Sequence, residues 1–161
     1  MKQKKGGNPN FKNYEDIISL IGKFAWIIGV IDGILYILWG IWGLWWVNLA
    51  ASAAQSVGVF SYIAADVTYL TALYIWYIIG GIITIAVAIL IVRPRFSAKC
   101  ANKDWDFLLD DVITLGSFRI PFMLILGIIL TIFGQWWGGV AILIPAIVLI
   151  FLGPKEYKWK K

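Results

Sequence analysis

Apolar and polar positions alternate along this chain in long blocks, and the blocks define its elements. Phe11, Tyr14, Ile17, Ile18 and Ile21 recur at helical spacing, with Asn13 placed to cap and Glu15 and Asp16 in the first turn. This predicts an amphipathic helix within residues 1–23, lying on a surface or running on into the next block. Phe24–Val47 is almost wholly apolar and long enough to cross a hydrocarbon core of roughly 30 Å. Residues 48–66 are small and weakly polar, and a second apolar run follows at about 67–92. Arg93-Pro94-Arg95 is expected to stop that run, completing a helical hairpin over 24–92.

The polar stretch 93–119 contains a second amphipathic pattern. Trp105, Leu108, Leu109, Val112 and Ile113 share one helical face, Gly116 is a plausible terminator, and Asp104, Asp106, Asp110 and Asp111 decorate the rest. A helix over 104–115 is predicted, its acidic side meeting water, the basic tail of the same chain or a partner. The last apolar block, 120–153, is broken by Gly134-Gln135-Trp136-Trp137-Gly138-Gly139. Its two arms reach only about 24 Å each, which predicts a tight pair of short spans or a re-entrant hairpin. A basic tail, 154–161, closes the chain.

Composition sharpens this into a fold class. The chain is 61% hydrophobic and 14% charged, against about 25% charged in ordinary soluble domains. Its 14 Lys and Arg residues fall into the N-terminal, central and C-terminal polar segments. By the positive-inside rule all three lie on one side. The expectation is an all-α polytopic membrane protein with four transmembrane helices, in the plasma membrane, both termini cytoplasmic. Anionic lipid headgroups would be the natural counter-charge, and nucleic acid is not an expected partner. Trp39, Trp42, Trp45, Trp46, Trp136 and Trp137, with Arg93, Arg95 and Arg119, would be the interfacial anchors.

Candidate chemistry is sparse. There is no His, and the one cysteine, Cys100, has no partner for an internal disulfide. No nucleophile–base pair and no cofactor motif stands out, so neither an enzyme nor a bound cofactor is expected. Asp104-Trp105-Asp106 contains a D-x-D, but an acidic face turned to water accounts for it. Asp32 is the outstanding side chain, a carboxylate roughly 12 Å inside an apolar helix. Gly22, Gly29, Gly33 and Gly40 form a stripe beside it that suits close helix packing, and Gly80 and Gly81 provide the same in the second run. Depth counting brings Thr84 and Pro145 to the level of Asp32, with Tyr36 one turn away. These four residues make a candidate polar site, either structural glue or a proton or cation site. The function expected is a membrane accessory subunit acting through helix assembly with protein partners. The alternative is a small self-associating transporter or channel that uses Asp32.

Overall fold

The computed structural model describes residues 8–160. Lys2, Lys4, Lys5 and Lys161, which contribute to the basic segments, lie outside that range. A single 3-10 turn, Pro9–Phe11, leads into α1, which runs unbroken from Lys12 to Ser56. The amphipathic N-terminal segment and the first apolar run are thus one helix of 45 residues, about 68 Å long. The chain reverses at Val57-Gly58-Val59, where Gly58 takes the positive φ that a side chain disfavours, and α2 returns over Phe60–Val87.

Arg93-Pro94-Arg95 does not stop the second run. The helix widens to a π register over Ala88–Ser97 and continues into a last α turn, α3 (Ala98–Ala101). Proline lacks the N–H that an α register needs, and a π stretch tolerates its ring while the chain stays helical. Arg95 is held in place by a two-pronged bond to Asp111 at 2.7 and 2.8 Å, with its guanidinium 4.2 Å from the Phe122 ring centre.

The helix predicted over 104–115 is shorter than its apolar periodicity implied. It forms α4 (Trp105–Asp110), capped by the Asp104 carboxylate on the Phe107 N–H. The Lys99 ammonium, 2.9 Å away, holds the Asp104 carboxyl below its ordinary range. Beyond Asp110 the β-branched Val112, Ile113 and Thr114 prefer an extended backbone. They form β1 (Val112–Leu115), paired antiparallel with β2 (Phe118–Pro121). Gly116 supplies the positive φ at the first position of the two-residue turn. The C-terminal tail adds to this hairpin through Arg119 N–H on the Trp159 carbonyl and Tyr157 O–H on the Arg119 carbonyl. The fold is therefore mostly helical, with a small β-hairpin.

Two short helices complete it, α5 (Phe122–Phe133) and α6 (Trp137–Leu152). At 12 and 16 residues they reach about 18 and 24 Å. Among the described residues, only the helical stretches Pro9–Ser56 and Phe60–Ala101 are long and apolar enough, by length and composition, to cross a membrane. The expected architecture of four transmembrane helices is overturned on this point. The turn between α5 and α6 packs beside Asp32 and Gly29, in the middle of α1. Trp136 and Trp137 therefore do not share a level with Trp45 and Trp46, and α1 continues for about 36 Å beyond this turn.

The core sits at the end of the bundle where the basic residues are. There Ile18 and Ala25 of α1 meet Phe96, Cys100, Leu109, Leu126, Ile142 and Leu149 in one buried cluster. Its rim is an intramolecular ion-pair network. Lys155 pairs with Asp110 at 2.7 Å and Asp106 at 3.1 Å, Lys103 with Asp16 at 2.7 Å, and Arg119 approaches Asp110 at 3.8 Å. Each such surface pair contributes at most about 1 kcal/mol, but together they tie the tail, α4 and α1 into one unit. The acidic side of α4 thus meets the basic tail of its own chain. The basic tail was one of the three neighbours expected for that side, but the expected counter-charge of the basic residues is corrected. Arg95, Lys99, Lys103, Arg119 and Lys155 were to face anionic lipid headgroups, and they face carboxylates of the same chain. The expected lipid partner and integral plasma-membrane placement rested on that basic belt together with four apolar spans; these five residues do not supply the belt, and among the described residues two helices have the length of a span.

Cys100 is fully buried opposite Gly22, and burial pushes its thiol up to about 12. A maleimide at pH 8 is expected to leave it unmodified in the native chain and to react fully in denaturant, as read by mass spectrometry. Comparable native labelling would contradict the packing of α3 on α1.

Candidate functional site

Asp32 is placed by the smallness of what surrounds it. The face of α1 bearing Gly29 and Gly33 lies close against α2 and α6. Gly29 meets Ala88 and Leu130, and Gly33 meets Ile85 and the Gly81 carbonyl. Farther along the same helix Gly40 lies on the Tyr74 carbonyl, while Gly80 of α2 approaches the Phe133 carbonyl and the Tyr36 ring. With so little room for side chains, the three-residue turn after α5 and the start of α6 enter next to Asp32. Gly134 and Gly138 touch its carboxylate, and a Cβ on Gly138 would stand 2.9 Å from Gly29 Cα.

The carboxylate caps α6 from another part of the chain. Asp32 Oδ2 accepts the Gln135 N–H at 3.1 Å. Burial raises the Asp32 carboxyl above its ordinary range, and the peptide N–H groups of Gly138, Gln135 and Trp137 oppose that shift. These belong to the unsatisfied first turn of a helix, where negative charge is stabilised. Trp136, the residue before α6, offers no side-chain cap and stands at φ 73°, a left-handed conformation costly for a bulky residue. Asp32 supplies the acceptor that Trp136 lacks. It is 1% exposed, and its Oδ1 accepts no hydrogen bond.

Of the other three residues grouped with Asp32, only Tyr36 borders the turn. Thr84 is fully buried on α2, but its hydroxyl has no partner and so makes no bond to Asp32. Pro145 lies about 10 Å farther along α6 than Gly138, which is the residue that meets Asp32. Equal-depth counting fails because α5 and α6 are short.

Above the turn, α1 and α2 open a cleft of about 450 Å³ lined by Tyr36, Trp39, Tyr74, Tyr77, Gln135 and Trp136, with Gly134 at its base. Tyr36 and Tyr77 stack with ring centres 4.4 Å apart, and Tyr74 meets Tyr77 edge-on at 5.7 Å. Trp39 and Trp136, more than half exposed, stand at its edge. No protein-family model matches the chain, and no curated protein or solved structure matches it either. A larger apolar groove of about 620 Å³ runs over Leu35, Leu38, Ile41, Trp42 and Trp45, but its lining comes from α1 only and offers no converging polar group.

The expected functions do not fit this arrangement. A transporter or channel needs Asp32 to border a path, and its carboxylate is enclosed and engaged by the α5–α6 turn. An accessory subunit was expected to work through helix assembly with protein partners, and the acidic helix, for which a partner was one of three expected neighbours, has Asp104, Asp106, Asp110 and Asp111 paired within the chain. Among the described residues, no group of three or more His, Cys, Asp or Glu side chains is placed to hold a metal ion. The D-x-D carboxylates are occupied separately, Asp104 by Lys99 and Asp106 by Lys155.

Tyr74, Tyr77, Gly134 and Gly138 are the site residues that sequence reasoning missed. The glycines flanking a Trp-Trp pair were the available signal, since a turn that small can enter a helix interface that a bulkier one cannot.

Proposed function

We propose that this chain is a non-enzymatic helical domain that binds a small ligand in the aromatic cleft between α1, α2 and the α5–α6 turn. The observation that carries this reading is the convergence of two helices and the α5–α6 turn on one open cleft. It combines apolar ring faces with a few polar groups, namely tyrosine hydroxyls and the Gln135 amide. The strained Trp136 supports it, because backbone strain held by surrounding structure concentrates at binding sites. The cleft contains no nucleophile and base within reach of one another, which favours binding over catalysis.

The test is ¹⁹F NMR of the chain carrying 5-fluorotryptophan, held in a mild non-ionic detergent that covers its exposed apolar helices. Titration with phenol and with 3,3-dimethylbutan-1-ol is expected to give saturable shifts confined to Trp39 and Trp136 among the 10 tryptophans. Trp136→Gly relieves the positive φ, and it should weaken binding several-fold while leaving the fold intact. Shifts spread evenly over all tryptophans, or none, would overturn the proposal.

A further inference from the structure

We infer that the ligand class of this cleft is a neutral pyranose sugar, an inference that rests on the proposed binding role. Three observations about the lining point to it.

The first is the lack of formal charge. Among the described residues no Lys, Arg, Asp or Glu lines the cleft. Asp32 is enclosed behind Gly134 and engaged by the turn, so it does not reach the opening. A charged ligand entering there would lose hydration and find no counter-charge to replace it, which selects a neutral one.

The second is the hydrogen-bonding set. Among the described residues the tyrosine hydroxyl that makes a hydrogen bond is that of Tyr157, so those of Tyr36, Tyr74 and Tyr77 are left for a ligand. Gln135 meets Asp32 through its backbone N–H, which leaves its side-chain amide to the cleft. Hydroxyls donate and accept, and a carboxamide does one at each end. Such a set matches a ligand rich in hydroxyls. A purely apolar ligand would strip these groups of water without replacing the bonds.

The third is the ring surface that stays open. Tyr36 and Tyr77 stack on each other and Tyr74 lies on Gly43, so the tyrosines offer mainly their hydroxyls. Trp39 and Trp136 are 55% and 66% exposed. An open indole face packs against the C–H face of a pyranose, whose polarised hydrogens meet the negative face of the ring quadrupole. Trp39 also borders the apolar groove over Leu35, Leu38 and Trp42, so an apolar group on the anomeric oxygen has a neighbouring surface to lie on.

The experiment compares phenyl β-D-glucopyranoside with phenol by the same tryptophan resonances, in a polyoxyethylene detergent whose headgroup carries no sugar. The glucoside is expected to bind at least about tenfold more tightly, the return of one or two hydrogen bonds that phenol leaves unmade. Phenyl β-D-glucuronide, the same scaffold with a carboxylate, should bind several-fold less tightly than the glucoside. Tyr77→Phe and Gln135→Leu preserve the shape of the walls, and each should weaken the glucoside more than phenol. Methyl β-D-glucopyranoside separates the sources. Affinity equal to that of the phenyl glucoside assigns a free sugar, weaker binding assigns a sugar carried on an apolar group, and both uphold the pyranose. If phenol and the phenyl glucoside bind equally, or the glucuronide matches the glucoside, the sugar assignment is wrong while the binding role stands. If neither phenol nor the glucoside shifts Trp39 or Trp136, both fall.

Discussion

Replacing Gly33 by valine is expected to destabilise the chain by about 3 kcal/mol, at the upper end of what overpacking a close interface costs. The reason lies in what faces it. A Cβ on Gly33 would stand 2.7 Å from the Gly81 carbonyl oxygen, and a Cβ on Gly81 would stand 2.5 Å from the Gly33 carbonyl oxygen. The two helices touch backbone to backbone at a reciprocal pair, so no side chain can rotate away and α1 and α2 must separate. Gly33→Ala should cost less, because alanine's helix propensity returns about 1 kcal/mol. Gly33→Val with Gly81→Ala should cost less than the sum of the single changes, since one separation relieves both clashes. Gly43 provides the comparison, for its neighbour is the Tyr74 ring, a side chain with some freedom to move. Urea unfolding followed by tryptophan fluorescence measures all of these variants. Gly33→Val within about 0.5 kcal/mol of the unaltered chain (a spread typical of uncrowded surface sites) would show that the two helices do not meet backbone to backbone.

The second large effect concerns Asp32. Its change to leucine is expected to cost about 3 kcal/mol, because it leaves the peptide N–H groups at the start of α6 buried without their acceptor. Asp32→Asn retains one oxygen and should lose only about 1 kcal/mol. Position matters as much as size. The amides of Gln135, Trp137 and Gly138 should exchange with deuterium faster in Asp32→Leu, while those of α4 keep their protection. If Asp32→Leu unfolds at the same urea concentration and those amides stay protected, a group other than Asp32 caps α6.

These two expectations separate what a reading of residue types reaches from what it misses. The glycine positions on α1 and α2 are legible because spacing along a helix fixes which residues share a face. The isolation of Asp32 is equally legible, as a carboxylate within an apolar run needs a partner. Its partner is not legible. Gln135 offers a backbone N–H, which every residue but proline possesses, and no pattern of side chains announces it. Thr84 and Pro145 looked closer only because equal helix lengths were assumed. Tyr74 and Tyr77 carry ring faces to the same end of the bundle as Trp136, and their convergence depends on where the α5–α6 turn stops.

The sequence by itself determined the helical character of most of the chain. It also determined the α1–α2 hairpin, the small-residue stripe that lets those helices close, and the concentration of charge at one end. All of these follow from periodicity and residue size, which are local properties. Tertiary structure decided the rest. It joined the N-terminal amphipathic segment to α1, carried the second helix through Pro94 in a π register, and cut the 104–115 helix short in favour of a β-hairpin. It also paired Arg95, Lys99, Lys103, Arg119 and Lys155 with the chain's own carboxylates and placed the α5–α6 turn beside Asp32. Each of those outcomes depends on which distant groups satisfy one another once packed, and hydrogen-bond and ion-pair partners far apart in the chain leave no mark on its periodicity.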